Sequence, residues 1–354
     1  MTEPTKNSRS RAMFDTARPM KFHLELTDKC NAACPMCGRT QQLNRCLPDQ
    51  TKVRNIDLDL ATIKRNFTPD LCSRILEIDL CGGLGDPPAA RDCFAICEYF
   101  ISQGVKLILS SNGGLRSVDW WTQLGELFVT NESLVEFHID GLADTNHLYR
   151  VNTRFHKIMD NATAFLNTGA NGEWHFIPFA HNQHQISEAL ELSKKMGFST
   201  FKVIDTIRFG QEQAFEYQMP DGSFRELRPA TLDAPKDGDE VTQPSEAGPT
   251  SGTAGAIPQV QCKSAVQNRP YIVATGAVSA CCWVEGSADE KEMYALAQVE
   301  PAEHNINNRL LEEILNDEPY RSIYSGAWER GANPVCIRKC AHHQRSRRRV
   351  LEEG

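Results

Sequence analysis

The chain has 354 residues, 40% of them hydrophobic, and a formal net charge of −8 at pH 7. That length can bury a full core and predicts one large domain with a smaller one; the acidic balance predicts no non-specific attraction to nucleic acid. No stretch approaches the roughly 20 consecutive apolar residues of a membrane span, and residues 1–13 lack the apolar region of a secretory signal, so the expectation is a soluble, cytoplasmic protein.

Residues 1–18 are polar and read as a flexible N-terminus. Residues 22–27 (Phe-His-Leu-Glu-Leu-Thr) alternate apolar and polar and predict a first strand. It feeds a loop carrying Cys30, Cys34 and Cys37, followed by a polar segment, 38–45. A helix is predicted over 57–67 and a second strand over 75–81, stopped by Gly82-Gly83-Leu84-Gly85-Asp86-Pro87-Pro88. A helix over 89–103 then ends at Gly104. The third strand, 105–111, runs into Asn112-Gly113-Gly114 and a helix over 117–128. The fourth, 134–140, ends at Gly141, and its helix, 155–168, at Gly169. Strand 174–180, helix 185–196 and strand 201–204 complete the series. Such alternation calls for an α/β fold with a parallel sheet and outer helices, in which ligands meet the loops after the strand C-termini.

Between 219 and 257 the texture turns to Pro, Gly, Ser, Thr and Asp, which cannot bury enough apolar surface to offset ordering entropy. A flexible insertion or linker is expected there, with a substrate lid as the alternative. Residues 258–354 form the second domain: Cys262, a hairpin over 271–282 pivoting at Thr275-Gly276, a helical run over 310–324, then Cys336 and Cys340. The basic run Arg345, Arg347, Arg348, Arg349 reads as a solvated helix end, with a role at a partner surface as the alternative.

Thirteen cysteines is a high, odd count, and they cluster as ligands rather than as a disulfide framework, which fits a reducing compartment. The trio Cys30, Cys34 and Cys37 offers three thiolates and no nearby fourth, since the next cysteine is Cys46 beyond a polar segment. A structural zinc site normally closes with a fourth Cys or His, whereas a cubane held by three keeps an open iron. This CxxxCxxC loop after a first strand resembles the signature of the radical S-adenosylmethionine (SAM) superfamily. The resemblance implies a partial (β/α)6 barrel over 19–218, a 4Fe-4S cluster on Cys30, Cys34 and Cys37, and SAM bound at the open iron.

It implies further contacts in chain order. Met36 would lie against the adenine; Gly83, Gly85 and Asp86 resemble the loop that receives the SAM amino group, with Asp where Glu is usual. Ser110 and Asn112, with Ser111 between them, resemble the strand end that binds the ribose hydroxyls, and Asp140 the acidic end of the next strand. His138 stands where relatives often have Ser, and packs in the core or contacts substrate. The order Cys262, Cys281, Cys336, Cys340 resembles the auxiliary-cluster domains called SPASM and twitch, making 258–354 a small α+β iron-sulfur domain with one auxiliary 4Fe-4S cluster. Cys282 adjoins Cys281, and neighbours on a strand face opposite ways, so only one of them ligates. A four-cysteine zinc ribbon is the alternative. His175, His181, His184 and Asn182 form either a solvated loop or a substrate contact. Cys81 either donates hydrogen to a substrate radical or, like Cys46, Cys72, Cys93 and Cys97, is an inert small hydrophobe.

The resemblance implies homolysis of SAM to a 5′-deoxyadenosyl radical that abstracts hydrogen from a peptide or protein side chain. A flavodoxin- or ferredoxin-type protein would supply the electron. Small-molecule dehydrogenases or epimerases of the same superfamily are the second reading, and a non-enzymatic electron carrier or zinc scaffold the third.

Overall fold

The computed structural model describes residues 13–45, 52–206, 208–209, 212–219, 221–231, 262–329, 334–337, 340 and 348–350. Among these, no helix is long and apolar enough to cross a membrane. The strands are β1 (Met20–Leu24), β2 (Ile75–Leu80), β3 (Lys106–Ser111), β4 (Leu134–His138), β5 (Asn171–Phe176), β6 (Thr200–Ile204), β7 (Phe215–Gln218), β8 (Phe224–Leu227), β9 (Tyr271–Ile272), β10 (Val278–Ser279) and β11 (Arg348–Val350). The chain divides into two compact units: Met1–His23, Ala61–Leu76 and Gln243–Gln344 form one; Leu24–Leu60, Glu77–Thr242 and Arg345–Gly354 form the other.

In the larger unit β2, β3, β4, β5 and β6 lie side by side, each parallel to the next. Intervening helices Cys93–Ser102, Val118–Val129, Phe155–Leu166 and Ile186–Met196 follow the predicted alternation. The reason is periodic. Leu109, Val135, Phe137, Trp174 and Phe176 occupy one strand face and are fully buried, while Trp121, Leu124 and Phe128 return at helical spacing on Val118–Val129. Trp121 meets Phe137 at 5.2 Å between ring centroids and Phe165 at 6.2 Å, so these rings join strand to helices. Ser117 caps that helix, its hydroxyl accepting from Trp120 N. The opposite strand face carries Ser110, Glu136, His138, Glu173, His175 and Lys202.

Several features depart from the sequence reading. The polar segment Gly38–Arg45 is a helix, and the tail read as a helix end is β11, antiparallel to β6 with Arg348 opposite Ile204. Arg345, Arg347 and Cys46 lie outside the described residues. The stretch expected to start a linker at 219 includes β8, which pairs antiparallel with β7, Phe215 opposite Leu227; residues 232–257 lie outside the described residues.

In the smaller unit β9 and β10 form the predicted hairpin, Ile272 opposite Val278. Gly276 turns it at φ +85°, and a side chain there would also overlap Asn307. The expected run over 310–324 is two helices, Leu311–Asn316 and Glu318–Glu329, because Asp317 is extended (φ −69°, ψ 127°) and Pro319 is tolerated only in the first turn of a helix, not in its interior. Of the expected flexible N-terminus, 1–12 lie outside the described residues. The next residues are tied down: Asp15 N donates to Asn268 Oδ1 at 2.9 Å, and Asn268 Nδ2 returns a bond to Asp15 O at 2.8 Å.

Candidate functional site

The cysteine loop is held from both ends. Asp28, buried before it, accepts backbone N–H bonds from Arg54, Asn55 and Ile56, and its own carbonyl accepts from Arg39 Nε at 2.9 Å. Lys29 Nζ pairs with Asp57 at 2.8 Å. At the far end Cys37 N donates to Cys34 O at 3.0 Å, and Gln41 N to Cys37 O, starting the helix Gly38–Arg45. The glycine turn then closes against this loop. Asp86 N donates to Lys29 O at 2.8 Å, and a Cβ on Gly85 would overlap the Thr27 carbonyl. Only glycine permits that approach.

Cys34 is buried and Cys30 and Cys37 are half-buried. Around Cys30, Ala32 N approaches the sulfur at 3.3 Å and Asn112 Nδ2 at 3.8 Å. Beside Cys34, Arg150 Nη1 lies 3.8 Å from the sulfur. Burial pushes the Cys30 thiol up to about 12, with the charge of Asp86 and the other two thiols adding to it. Burial likewise pushes Cys34 up to about 11, against the pull of Arg150. Three crowded, desolvated thiols resist ionising as they stand; a bound metal reverses that, since a coordinated thiol is deprotonated outright. The donor set thus fits a soft metal centre.

Asp86 adds a second mark of an external partner. Its Oδ1 accepts from Asn112 N at 3.2 Å, whereas its buried Oδ2 has no hydrogen-bond partner. Burial raises its carboxyl to about 6. An orphaned carboxylate oxygen beside a thiol trio suits a cationic or N–H-bearing ligand.

Among the other expected residues, Met36 is buried against Tyr149, Phe179, Phe209 and Leu227, with Phe215 and Tyr217 of the β7–β8 hairpin at the edge of this cluster. Its carbonyl accepts from Arg208 at 2.9 Å. Gly83 N donates to the buried Glu25. Asn112 also reaches Asn31 Oδ1 at 3.0 Å. Ser110 is turned to Glu136, donating at 2.6 Å. Asp140 is fully buried and pairs with Arg150 at 2.6 Å, and its other oxygen accepts from Ile177 N. Asn182 Nδ2 donates to Asp140 O at 3.0 Å. His181 stacks on Phe179, and burial lowers it to about 4, helped by His147 and His184. Cys81 is half-buried; Cys72, Cys93 and Cys97 are buried.

Sequence reasoning missed Arg150, Arg208 and Tyr149. A buried arginine carries no periodic signal; only its position ten residues past Asp140 hints at the pairing.

In the smaller unit Cys262, Cys281, Cys336 and Cys340 line one cavity with Met13, Ala280, Trp283, Val284, Tyr324 and Val335. Cys282 is exposed and does not line it. Burial raises Cys262 to about 11 and raises Cys281 as well, and Cys340 repels both. Four thiols around one small apolar space fit a metal centre, either iron-sulfur or zinc.

No protein-family model and no curated protein sequence matches the chain. Solved structures do. SuiB from Streptococcus suis bound to S-adenosylmethionine superposes over 87% of this chain and 68% of its own, with 12% identity and a TM-score of 0.55. SuiB bound to its precursor peptide SuiA superposes over 86% of this chain and 66% of its own, also at 12% identity, with a TM-score of 0.52. The chain has the radical SAM fold. The partial (β/α)6 barrel expected from the cysteine loop holds at the level of fold, and in this radical SAM framework the three-cysteine loop occupies the segment after β1.

Proposed function

We propose that the chain is a radical SAM enzyme acting on a peptide or protein side chain. The observation that carries this is the meeting of Cys30, Cys34 and Cys37 with the orphaned Asp86 carboxylate, on a fold shared with a SAM-binding protein. A 4Fe-4S cluster on the three thiols would supply an open iron for SAM, and with an electron from a flavodoxin- or ferredoxin-type donor it supplies reductive cleavage to a 5′-deoxyadenosyl radical.

The chain's own residues do the rest. Arg150 places positive charge beside the Cys34 sulfur and stabilises it as a thiolate. Asp86 and the backbone of Gly83 and Gly85 would receive the SAM amino group and Asn112 the ribose hydroxyls, while Asp140, held by Arg150 and Ile177 N, and Ser110, held by Glu136, brace that side. Met36 offers a polarisable surface to the adenine. The apolar cluster of Phe179, Phe209 and Leu227 keeps water from the thiol loop.

The peptide reading is supported by SuiB, whose structure with a precursor peptide matches this chain. Cys262, Cys281, Cys336 and Cys340 would hold one auxiliary 4Fe-4S cluster, able to take an electron in an oxidative outcome. Anaerobically reconstituted protein with dithionite and SAM should release 5′-deoxyadenosine, and replacing Cys30, Cys34 and Cys37 with Ala should abolish it. Cleavage surviving the triple substitution sinks the reading.

A further inference from the structure

Residues 136–138 and 173–175 repeat one triplet, Glu-Phe-His and Glu-Trp-His. They lie on neighbouring parallel strands in exact step: Glu136 opposite Glu173, Phe137 opposite Trp174, His138 opposite His175. Side chains alternate along a strand, so the two aromatic rings go to the helix-covered face and both Glu-His pairs to the other. The outcome is a two-by-two array of carboxylates and imidazoles.

Its members converge. His175 Nε2 lies 2.9 Å from Glu173 Oε2 and 3.8 Å from Glu136 Oε1, and His138 Nε2 lies 4.0 Å from Glu136 Oε2. The two imidazole rings meet edge-on at 5.1 Å. One ligand atom from each of Glu136, His138 and His175 lies within 4.8 Å of the others. Each carboxylate is also steered by a neighbour: Ser110 donates to Glu136 from β3, and Lys202 pairs with Glu173 from β6. The array sets two carboxylates against one ammonium.

We propose that Glu136, His138 and His175 bind a divalent first-row transition ion, with Glu173, 2.9 Å from His175 Nε2, as a further carboxylate beside them. Two imidazoles and a carboxylate without thiolate suit manganese, iron, cobalt or zinc rather than soft ions. Three protein donors leave coordination positions for water or for a carboxylate or hydroxyl of the substrate. The proposal stands whether or not the thiol groups carry iron.

Mn(II) is the probe, because nitrogen and oxygen donors take it in preference to thiolates and binding broadens the six-line electron paramagnetic resonance spectrum of the free ion. Full-length protein, reconstituted anaerobically, is titrated with Mn(II). Wild type should bind one ion per chain. His138→Ala with His175→Ala should weaken binding by about tenfold or more, and Cys336→Ala with Cys340→Ala should leave it unchanged. Glu136→Gln, which keeps the shape of the side chain, should weaken binding similarly and covers the case in which the histidine variant does not fold. An unaltered Mn(II) spectrum with wild type, or equal binding by wild type and Glu136→Gln, overturns the proposal.

Discussion

Arg150 stands between a carboxylate and a thiol: its Nε is 2.6 Å from Asp140 Oδ2, and its Nη1 is 3.8 Å from Cys34 Sγ. Burial works against the guanidinium charge, but Asp140 and Cys34 more than offset it and hold it above its ordinary value. Removing one member of a buried pair strands the other. Arg150→Met should therefore destabilise the metal-free protein by about 3–5 kcal/mol in urea unfolding. Asp140→Asn keeps the bond from Ile177 N and removes the stranded charge, so adding it should recover much of the loss. A double-mutant cycle with coupling below about 1 kcal/mol would show that the pair does not act as a unit.

Asp86 sets a pH dependence whose sign follows from its burial. Its folded-state value of about 6 lies above the ordinary 3.8, so the folded state favours the protonated carboxyl. That contribution to stability is complete below about pH 4 and is lost as pH rises through 6. In metal-free protein, wild type should lose about 3 kcal/mol relative to Asp86→Asn across that window. Parallel stability curves for the two proteins would mean that the carboxylate is better solvated or better paired than its unpartnered oxygen indicates.

Strand and helix positions from β2 through β6 were legible because each strand puts apolar residues on its helix-covered face, and β2, β3 and β4 stop shortly before Gly or Asn. β5 begins at Asn171, three residues before the expected Trp174, since its first turn out of the loop is Asn-Gly-Glu and only pairing with β4 makes it strand. The helix Gly38–Arg45 was invisible for the opposite reason: its one large apolar residue, Leu43, is exposed, and no buried stripe announces it. β11 hid in a basic run because an edge strand is specified by its partner β6. At the site, the thiol spacing was readable as local chemistry. Arg150 and the Glu136 array were not, because both depend on contacts across strands and loops.

Gly85 tests how closely the glycine turn must approach the thiol loop. A methyl group there would overlap the Thr27 carbonyl, and backbone on both sides leaves no flexible atom to give way. Gly85→Ala should cost about 1–3 kcal/mol or more in stability and should cut 5′-deoxyadenosine formation more steeply than Gly104→Ala, whose added carbon meets nothing within 4 Å but whose φ of +77° strains the chain. Equal effects of the two on turnover would show that backbone strain, rather than the approach to the cysteine loop, governs the site.

The four thiols of the smaller unit make the nature of the second centre measurable. Cys262, Cys281, Cys336 and Cys340 share one cavity while Cys282 points elsewhere. With cubanes at both thiol groups, iron per chain should be about eight, falling to about four in Cys336→Ala with Cys340→Ala. SAM cleavage should persist in that variant, because Cys30, Cys34 and Cys37 are untouched. Cys282→Ala should change neither the iron content nor the absorbance. About four irons in wild type with one zinc retained would assign the cavity to a zinc ribbon instead. The four sulfurs would then tie Cys281, just after β10, to Cys262 and to the short helix Pro334–Cys336, and an electron leaving the substrate radical would need an acceptor outside this cavity.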